Sequence, residues 1–449
     1  MHHFDDTTER IARLCFDYAT DRLRMDPAPL DEPATWAELD AAVGPTISAT
    51  GHDPEQVMAW FADTLAPACI SCDSPAFLSF IPCAPTKASQ LFDIVVSASA
   101  ICGSDWLEAA GAIYAENQAL RWISDLAGFP AEAGGTFVSG GSAGNLSALV
   151  AARTWAADTR ARPERWRVAL ADTAHSSLNN TLRILDIDPL VVTTGPDDRL
   201  TGDALRAALD ADPDHESVCA VVATAGTTNT GTIDDLAGVA QIAHERDVWM
   251  HVDGAYGLAG LAAPSVRAKY AGIEHADSFV VDPHKWLFAP FDCAALLYRD
   301  PSIAQRAHSQ HAAYLDPIRA QESWDPADYA YQLTRRVRGL PFWFSLAVHG
   351  TDAYRDAIEA TLAIARDAAR RIAAAPHLEL VLDPELTVVV FRRIGWGPDE
   401  YQSWSDQMLA DQRAFILPTT HHGERLLRAV YLHPECPPTL TDDIINSLA

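Results

Sequence analysis

Short apolar runs alternate with helical stretches between residues 88 and 300 of this 449-residue chain. Strands that alternate with helices at this spacing are typical of a mostly parallel sheet covered by helices on both faces. We therefore predict an α/β fold with a large domain built on one seven-stranded sheet. The predicted strands are 136–139, 168–171, 190–193, 218–224, 248–252, 278–281 and 294–298.

The chain as a whole divides into three predicted parts. Residues 1–87 form a helical N-terminal segment, 88–350 the large domain and 351–449 a small C-terminal α/β domain. Residues 301–338 are polar with little periodicity, and a loop of that length is usually functional or mobile. The small domain carries the predicted strands 378–382, 387–392 and 426–431 and the predicted helices 399–411 and 440–448.

Composition and charge limit the possible partners. Thirty-three basic and 61 acidic residues give a formal net charge of −28, and such a surface repels nucleic acid and anionic lipid. No apolar run reaches the roughly 18–20 residues that span a bilayer. The N-terminus has neither the basic flank nor the apolar core of a signal peptide. We expect a cytoplasmic protein with no nucleic-acid partner and no membrane partner.

The eight cysteines are scattered, mostly among apolar residues. Cys69 and Cys72 have the CxxC spacing of redox and zinc sites, but no second CxxC or close histidine pair completes a metal site. We therefore interpret the cysteines as packing thiols and expect no metal site.

Lys285 follows the predicted strand 278–281 and is one of only three lysines in a chain with thirty arginines. In an open α/β sheet, ligands bind beyond the carboxyl ends of the strands. An amine buried among apolar residues becomes nucleophilic and can form a Schiff base with an aldehyde, which a guanidinium cannot do. The position of Lys285 therefore predicts a carbonyl ligand.

Other strand ends carry complementary groups. Ser142, Ala143 and Gly144 open the helix after the first strand, where free backbone N–H groups can hold a phosphate; an ordinary strand–helix turn is the alternative. His175 follows the second strand and offers a flat ring, although a helix-capping role is the better explanation when this residue is taken alone. Thr228 lies in a hydroxyl-lined turn after the fourth strand.

Asp253 ends the strand 248–252, where burial of a carboxylate is costly unless a cation or a hydrogen-bond donor meets it. A structural ion pair is the alternative interpretation. Taken together, these strand ends call for one ligand with a phosphate, a flat ring, a protonatable ring nitrogen and an aldehyde. Pyridoxal 5′-phosphate has all four groups, and Asp253 would then keep its ring nitrogen protonated.

Four motifs support this prediction through a family resemblance. They are ATAGTTNTGTIDDL (223–236), HVDGAY (251–256), DPHKWL (282–287) and DCAALL (292–297). The chain resembles the group II pyridoxal-phosphate decarboxylases, which include the aromatic-L-amino-acid, histidine and glutamate enzymes. The resemblance implies pyridoxal-phosphate fold type I, like that of aspartate aminotransferase. It also implies a homodimer whose N-terminal segments wrap the partner and whose active sites lie at the subunit interface.

The resemblance implies a role for each matching residue. Lys285 would carry the cofactor as the internal aldimine, Asp253 would pair with the pyridine nitrogen, and His175 would stack on the ring. Thr228 would lie beside the ring. The phosphate would be held by Ser142, Ala143, Gly144 and His284. Asp282 stands where many relatives carry asparagine, and the sequence assigns it no role.

The reaction implied by the resemblance is decarboxylation of an L-amino acid to an amine and CO2. The candidate substrate pocket is apolar, which favours an aromatic or apolar side chain. Its predicted members are Phe80, Ile81, Cys83 and Trp106, with Trp343 as a further candidate. Nothing in this set pairs with an acidic side chain, so glutamate is a poor fit.

The proton donor and the product stay open at this stage. Tyr329 or Tyr331 could deliver the proton, and either could equally be a packing residue. In the resembled family, loss of this tyrosine can redirect the reaction towards oxygen, so an aldehyde synthase is the alternative to an amine-forming decarboxylase. A catalytically silent dimeric scaffold of the same fold is the third hypothesis.

Overall fold

Seven strands form the larger of two sheets in the computed structural model, which describes residues 2–310 and 324–449. Their spatial order is β1-β7-β6-β5-β4-β2-β3; the pairs from β3 through β6 are parallel, and β7 is antiparallel to both of its neighbours. The mostly parallel seven-stranded sheet is thus confirmed. The strands are β1 Gly134–Val138, β2 Arg167–Ala171, β3 Asp188–Val192, β4 Val218–Thr224, β5 Trp249–Asp253, β6 Ser278–Val281 and β7 Ala294–Tyr298.

Helices cover both faces of this sheet. Every residue of β4 is buried; Val221 and Ala223 belong to the core on one face, and Val222 belongs to the core on the other. Because the strand is buried on both faces, its sequence is continuously apolar instead of alternating between apolar and polar residues. The helices of the first 310 residues are α1 Asp6–Arg24, α2 Trp36–Ala42, α3 Pro54–Trp60, α4 Lys87–Ser99, α5 Trp106–Leu126, α6 Gly141–Thr159, α7 Ser176–Leu185, α8 Gly202–Ala211, α9 Leu236–Glu245 and α10 Pro301–His308.

Helix α10 corrects the prediction of a continuous loop over 301–338. The side chain of Asp300 accepts a hydrogen bond from the backbone N–H of Ser302, and Pro301 occupies the first helical position. An aspartate cap followed by proline is a recognised start signal for a helix. The segment 311–323 of the same predicted loop lies outside the described residues.

A second, four-stranded antiparallel sheet lies in the C-terminal part, in the order β10-β11-β9-β8. The sequence predicts three of its strands and both of its short helices, but misses β10, which begins at Pro418. Proline is confined to edge strands, and β10 is indeed an edge strand with a polar sequence. The elements are α11 Leu340–Ala374, β8 Leu378–Leu380, β9 Val388–Arg393, α12 Pro398–Ala410, β10 Pro418–His421, β11 Glu424–Val430 and α13 Pro438–Ser447.

Helix α11 joins the two sheets. Its backbone is non-helical at Gly350, where φ is 76°, next to the predicted boundary between 88–350 and 351–449. That boundary and the boundary at residue 87 stay predictions. No helix in the described parts of the chain is long and apolar enough to cross a membrane.

The N-terminal helices have little to pack against in a single chain. None of the residues in α1, α2 or α3 is buried. Trp36 is 84% exposed and Ile47 is 92% exposed. Large apolar side chains with this degree of exposure are candidates for an interaction surface when they form a contiguous patch.

Candidate active site

The carboxyl ends of the central strands surround a cavity of about 300 Å³. Lys285 follows β6, Asp253 ends β5, and Thr224 ends β4, so the sheet topology alone brings these three residues to one edge. The lining residues are Ser139, Gly140, Gly141, Ser142, Asn145, His175, Ser177, Thr224, Gly226, Thr228, Asp253, Ala255, Tyr256, Asp282, His284, Lys285 and Phe291.

Asp253 is buried and held by two neutral donors. Asn145 Nδ2 donates to Asp253 Oδ2 at 2.9 Å, and the backbone N–H of Ala255 donates to Asp253 Oδ1 at 3.1 Å. A carboxylate has about four acceptor positions, so two donors leave it able to accept from a ligand. Both of these hydrogen-bond donors are uncharged.

A buried hydrogen-bonded chain supports Asn145 from behind. Because Asn145 donates through Nδ2, its Oδ1 accepts from His251 Nε2, 2.8 Å away. His251 Nδ1 then accepts from Ser278 Oγ at 2.8 Å, and Trp249 Nε1 donates to the same Oγ at 2.9 Å. Burial lowers the pKa of His251 to about 4, despite the opposing charge of Asp253. The imidazole therefore stays neutral at neutral pH.

Lys285 meets a different carboxylate. Its Nζ lies 3.0 Å from Asp282 Oδ2, which also accepts from the backbone N–H of Gly141 at 3.2 Å. His284 Nε2 lies 3.6 Å from the same oxygen, and burial lowers the pKa of His284. Asp282, which has no role in the sequence analysis, is therefore the ion-pair partner of Lys285.

The predicted phosphate turn is only partly directed at the cavity. Ser142 lines the cavity, but the N–H groups of Ala143 and Gly144 both donate to Gly140 O at 3.0 Å. A Cβ placed on Gly144 would lie 2.6 Å from Val280 Cγ2, so this glycine permits close packing of α6 on the sheet. The backbone of Ser139, Gly140 and Gly141 lines the cavity in place of Ala143 and Gly144.

His175 and Thr228 both line the cavity, as predicted from the strand ends. His175 is also the N-cap of α7, because its Nδ1 accepts from the backbone N–H of Ser177 at 3.3 Å. His175 therefore caps helix α7 and also lines the cavity. The backbone of Thr228 is held from the second sheet, since Arg428 Nε donates to Thr228 O at 2.8 Å.

The two candidate proton donors lie elsewhere in this chain. Tyr329 is buried and stacks on Trp324 with ring centroids 4.2 Å apart; its carbonyl oxygen accepts from Tyr298 Oη at 3.1 Å. Tyr331 is exposed. Neither tyrosine lines the cavity. The position of Tyr329 matches the packing alternative.

The predicted substrate-pocket residues do not gather at the cavity of a single chain either. Phe80 is exposed and contacts the rings of Phe77 and Phe415. Cys83 lines a separate cavity of about 260 Å³, which shares Phe291 with the first one. The other three candidates pack against apolar cores and are Ile81, Trp106 and Trp343. Their role in a substrate pocket stays a prediction.

The sequence analysis missed Asn145, His251, Ser278 and Phe291. A signal for His251 was present, because alternate residues of a strand point to the same face and His251 and Asp253 alternate within an otherwise apolar strand. Asn145 likewise lies one turn into α6, immediately after the glycine-rich motif.

The cysteine interpretation needs one correction. All eight cysteines are free, but Cys15 and Cys69 are exposed, so packing does not account for them. The other thiols follow the prediction better; burial raises the pKa of Cys219, for example, to about 12.

The sequence matches the family model described as pyridoxal-dependent decarboxylase conserved domain over residues 38–394. The chain belongs to this family. Aromatic-L-amino-acid decarboxylase of Bacillus atrophaeus is 30% identical to this decarboxylase over 394 residues, covering 86% of this chain and 81% of the relative. L-2,4-diaminobutyrate decarboxylase of Rhizobium meliloti is 30% identical over 392 residues, covering 83% and 77%.

Solved structures agree on the fold of this decarboxylase. A structure described as Oryza sativa TDC with PLP and tryptamine superposes with a TM-score of 0.91 at 24% identity, covering 100% of this chain and 98% of that one. Fold type I, inferred from the resemblance, is thus confirmed.

Pyridoxal phosphate, the cofactor of this family, fits the cavity chemically. Two residues that line it, Thr224 and Asp282, each carry a buried oxygen atom (Oγ1 and Oδ1) that has no hydrogen-bond partner within the described parts of the chain. Buried polar atoms without partners are rare in proteins, and a polar ligand would supply the missing contacts. Gly141 permits the start of α6 to lie close to the segment after β5, since a Cβ there would lie 2.9 Å from Ala255 Cβ.

Proposed function

We propose that this decarboxylase acts on an L-amino acid with an aromatic or apolar side chain and that Lys285 holds the cofactor covalently. The carrying observation is that the Lys285 amine and the Asp253 carboxylate follow neighbouring strands and line one cavity. Bound pyridoxal phosphate supplies a conjugated ring that accepts the electron pair left when the α-carboxylate departs as CO2.

The residues of this chain then divide the remaining work. Asp253, fixed by Asn145 and the N–H of Ala255, would keep the ring nitrogen protonated through its negative charge. His175 and Thr228, which line the same cavity, would bound the ring. Lys285 Nζ, oriented by Asp282, would hold the cofactor through its aldehyde group.

The phosphate end is proposed to lie at the N-terminus of α6. Ser142 and His284 both line the cavity there, as do the backbone atoms of Gly140 and Gly141. A helix N-terminus favours an anion through its dipole. Ala143 and Gly144 belong to the same turn and support it from the side of the sheet.

The role of Lys285 can be tested against another of the three lysines. Borohydride reduction of the holoenzyme followed by peptide mass mapping should place the cofactor on Lys285, and Lys285→Ala should lose both this adduct and CO2 release. Lys269→Arg is the matched control, because Lys269 pairs with Glu385 on the surface. An adduct on Lys269, or CO2 release that survives in Lys285→Ala, would contradict the proposal.

The substrate class rests on the relatives and on the cavity wall. The Bacillus relative is named for aromatic amino acids, and Tyr256 and Phe291 supply aromatic surface beside Lys285. The Rhizobium relative is named for 2,4-diaminobutyrate, so that compound is the sharpest competitor. CO2 release should be measured with tryptophan, tyrosine, phenylalanine, leucine, glutamate and 2,4-diaminobutyrate. A kcat/KM for diaminobutyrate above those for the aromatic and apolar substrates would overturn the proposed class.

A second candidate product is an aldehyde, and one observation favours it. Neither Tyr329 nor Tyr331 lines the cavity of a single chain, and in the resembled family loss of the protonating tyrosine can redirect the reaction towards oxygen. Amine, ammonia and hydrogen peroxide should be measured together with CO2. Amine equal to CO2 supports the decarboxylase proposal, whereas peroxide equal to CO2 identifies an aldehyde synthase. If no substrate gives CO2 release above background, the catalytically silent scaffold becomes the better hypothesis.

We further propose a cytoplasmic homodimer in which the active sites lie at the subunit interface. Eight free cysteines are typical of a reducing compartment. The exposed apolar side chains of the N-terminal segment, among them Phe16 and Trp36, supply a surface for a second copy. The double variant Phe16→Glu/Trp36→Glu should sediment as a monomer, and Ile394→Glu, at an exposed position directly after β9, should not. Wild-type enzyme that sediments as a monomer would refute the dimer.

A further inference from the structure

Three side chains from distant parts of the chain converge beside the cofactor cavity. Asp198 lies in the loop after β3, His421 ends β10, and His422 lies in the turn before β11. His422 Nε2 is 2.9 Å from Asp198 Oδ1, and His421 Nε2 is 3.4 Å from Asp198 Oδ2. One ligand atom from each residue lies within 4.8 Å of the other two.

These separations suit a tetrahedral metal ion. With metal–ligand bonds of about 2.0–2.1 Å, neighbouring ligands of a tetrahedral zinc ion lie about 3.3 Å apart. The separations of 2.9 Å (His422 Nε2 to Asp198 Oδ1) and 3.4 Å (His421 Nε2 to Asp198 Oδ2) lie on either side of that value. Two imidazole nitrogens and one carboxylate suit zinc and similar transition metals, whereas magnesium and calcium prefer oxygen ligands.

The charge and the space around the cluster agree with this geometry. The side chain of Asp198 is 3% exposed, and its carboxylate faces the two imidazoles. A buried carboxylate is costly unless a positive charge or donors compensate it, and a divalent ion between these three groups would do so. The cluster opens on a cavity of about 560 Å³, so a fourth ligand, such as water, has room.

We propose that Asp198, His421 and His422 bind one zinc ion per chain. The ion joins the loop after β3 in the large sheet to the β10–β11 hairpin of the second sheet, two segments more than 200 positions apart in sequence. His175 and Thr228 line the same 560 Å³ cavity and also the cofactor cavity. The metal would thus fix the wall that the two cavities share.

The test measures metal content, so it does not depend on the substrate or the reaction. The full-length enzyme, loaded with pyridoxal phosphate and freed of metal by a chelator, is dialysed against zinc chloride or magnesium chloride. We expect one more zinc ion per chain in the wild type than in Asp198→Asn or His422→Ala, and no such difference with magnesium. His422 is exposed, so its substitution should leave the fold intact.

Two controls separate this cluster from other zinc ligands on the surface. His275→Ala removes an exposed histidine beside Glu274, 3.6 Å apart, and should keep the full zinc content. Cobalt substitution gives the second readout: the wild type should show the visible absorption of a tetrahedral cobalt ion without thiolate charge transfer, which excludes Cys15 and Cys69 as ligands. Zinc should also raise the melting temperature of the wild type and not of His422→Ala.

Equal zinc content in wild type and His422→Ala would overturn the proposal. It would equally be overturned by a cobalt spectrum dominated by thiolate, because the cluster contains no cysteine. Either result would leave Asp198 as a carboxylate that contacts two histidines without a metal ion. The proposed decarboxylase function would be untouched, since Lys285 and Asp253 are not part of the cluster.

Discussion

Asp253 and Asp282 follow neighbouring strands of the large sheet, yet they meet different partners. Asp253 accepts from two neutral N–H groups, those of Asn145 and Ala255. Asp282 lies 3.0 Å from the ammonium group of Lys285. A buried carboxylate that already has a cation in its own chain orients that cation, whereas one fixed only by neutral donors keeps its charge for a ligand. The contrast assigns Asp282 to the lysine and Asp253 to the cofactor.

The largest effect should come from removing the charge of Asp253. Asp253→Asn keeps the shape and can still accept from Ala255, but it no longer stabilises a proton on the ring nitrogen. We expect kcat/KM to fall by about 10²–10³, the usual cost of losing one preorganised electrostatic contact in an active site. The adduct on Lys285 should persist, as peptide mass mapping after borohydride reduction would show.

Asp277→Asn is the matched control for that substitution. Asp277 is a partly buried carboxylate next to the central strands, but it accepts from the N–H of Met250 and lines a cavity that Lys285 does not reach. Its substitution should leave kcat/KM within about twofold, since its own hydrogen bond survives in asparagine. Equal losses in the two variants would remove the distinction between Asp253 and the other buried carboxylates.

Asp282→Asn should have a smaller effect and a different signature. The variant keeps an acceptor for the N–H of Gly141 but loses the charge that orients the amine of Lys285. We expect covalent capture of pyridoxal phosphate by the apoenzyme to slow about tenfold, which corresponds to about 1.4 kcal/mol. Stopped-flow absorbance measures that rate. A fall in kcat/KM as deep as that of Asp253→Asn would show that Asp282 acts on the cofactor ring itself.

Asn145→Ala tests, through the free energy of unfolding, whether neutral donors hold Asp253 in place. The substitution leaves Asp253 Oδ2 without its side-chain donor and His251 Nε2 without its acceptor. Burying unpaired polar groups costs about 1–3 kcal/mol, which urea unfolding would measure. Thr154→Ala in the same helix is the control. It removes only one hydrogen bond within the helix, which Thr154 Oγ1 donates to the carbonyl oxygen of Val150. It should cost well under 1 kcal/mol by the same reasoning, and an equal cost would argue against the buried chain.

The sequence predicts the cofactor side of the site much better than the substrate side. Lys285 and Asp253 stand out because each ends an apolar strand, and parallel topology brings strand ends to one edge. Phe80 and Trp106 carry no such constraint, because an aromatic residue in a loop or at a helix start serves a core or a pocket equally well. Trp106, for example, packs with Ile113 and Val337.

Long-range contacts explain the remaining omissions. The partner of Lys285 is three positions away, yet its ion pair depends on a turn geometry that the sequence does not reveal. Asp198 and His421 meet only through the packing of the second sheet, on a strand that the sequence analysis did not identify. The pattern of apolar residues along the sequence predicts where strands lie and where they end. It does not predict which side chains come into contact when two sheets pack together.

The smallest effect concerns how the free energy of unfolding depends on pH through His251, a member of the buried hydrogen-bonded chain that supports Asn145 and Asp253. Burial lowers the pKa of His251 from its ordinary value of 6.5 to about 4, so between these values the unfolded chain binds the proton more tightly. The stability that the neutral imidazole contributes is fully present above pH 6.5 and is lost as the pH falls towards 4. At about pH 5 the loss amounts to about 2 kcal/mol.

His251→Gln removes the titration while keeping an N–H donor for Asn145. The free energy of unfolding of the variant should therefore fall less than that of the wild type between about pH 7 and about pH 5, by about 2 kcal/mol. Burial raises the pKa of Asp234 to about 7 and that of Asp277 to about 6, which acts in the opposite direction but is common to both proteins and cancels in the difference. His349→Gln, at an exposed position, should follow the wild type. Parallel curves for His251→Gln and wild type would mean that the imidazole is not held neutral, and the contrast between a neutrally held Asp253 and a cation-paired Asp282 would then fail.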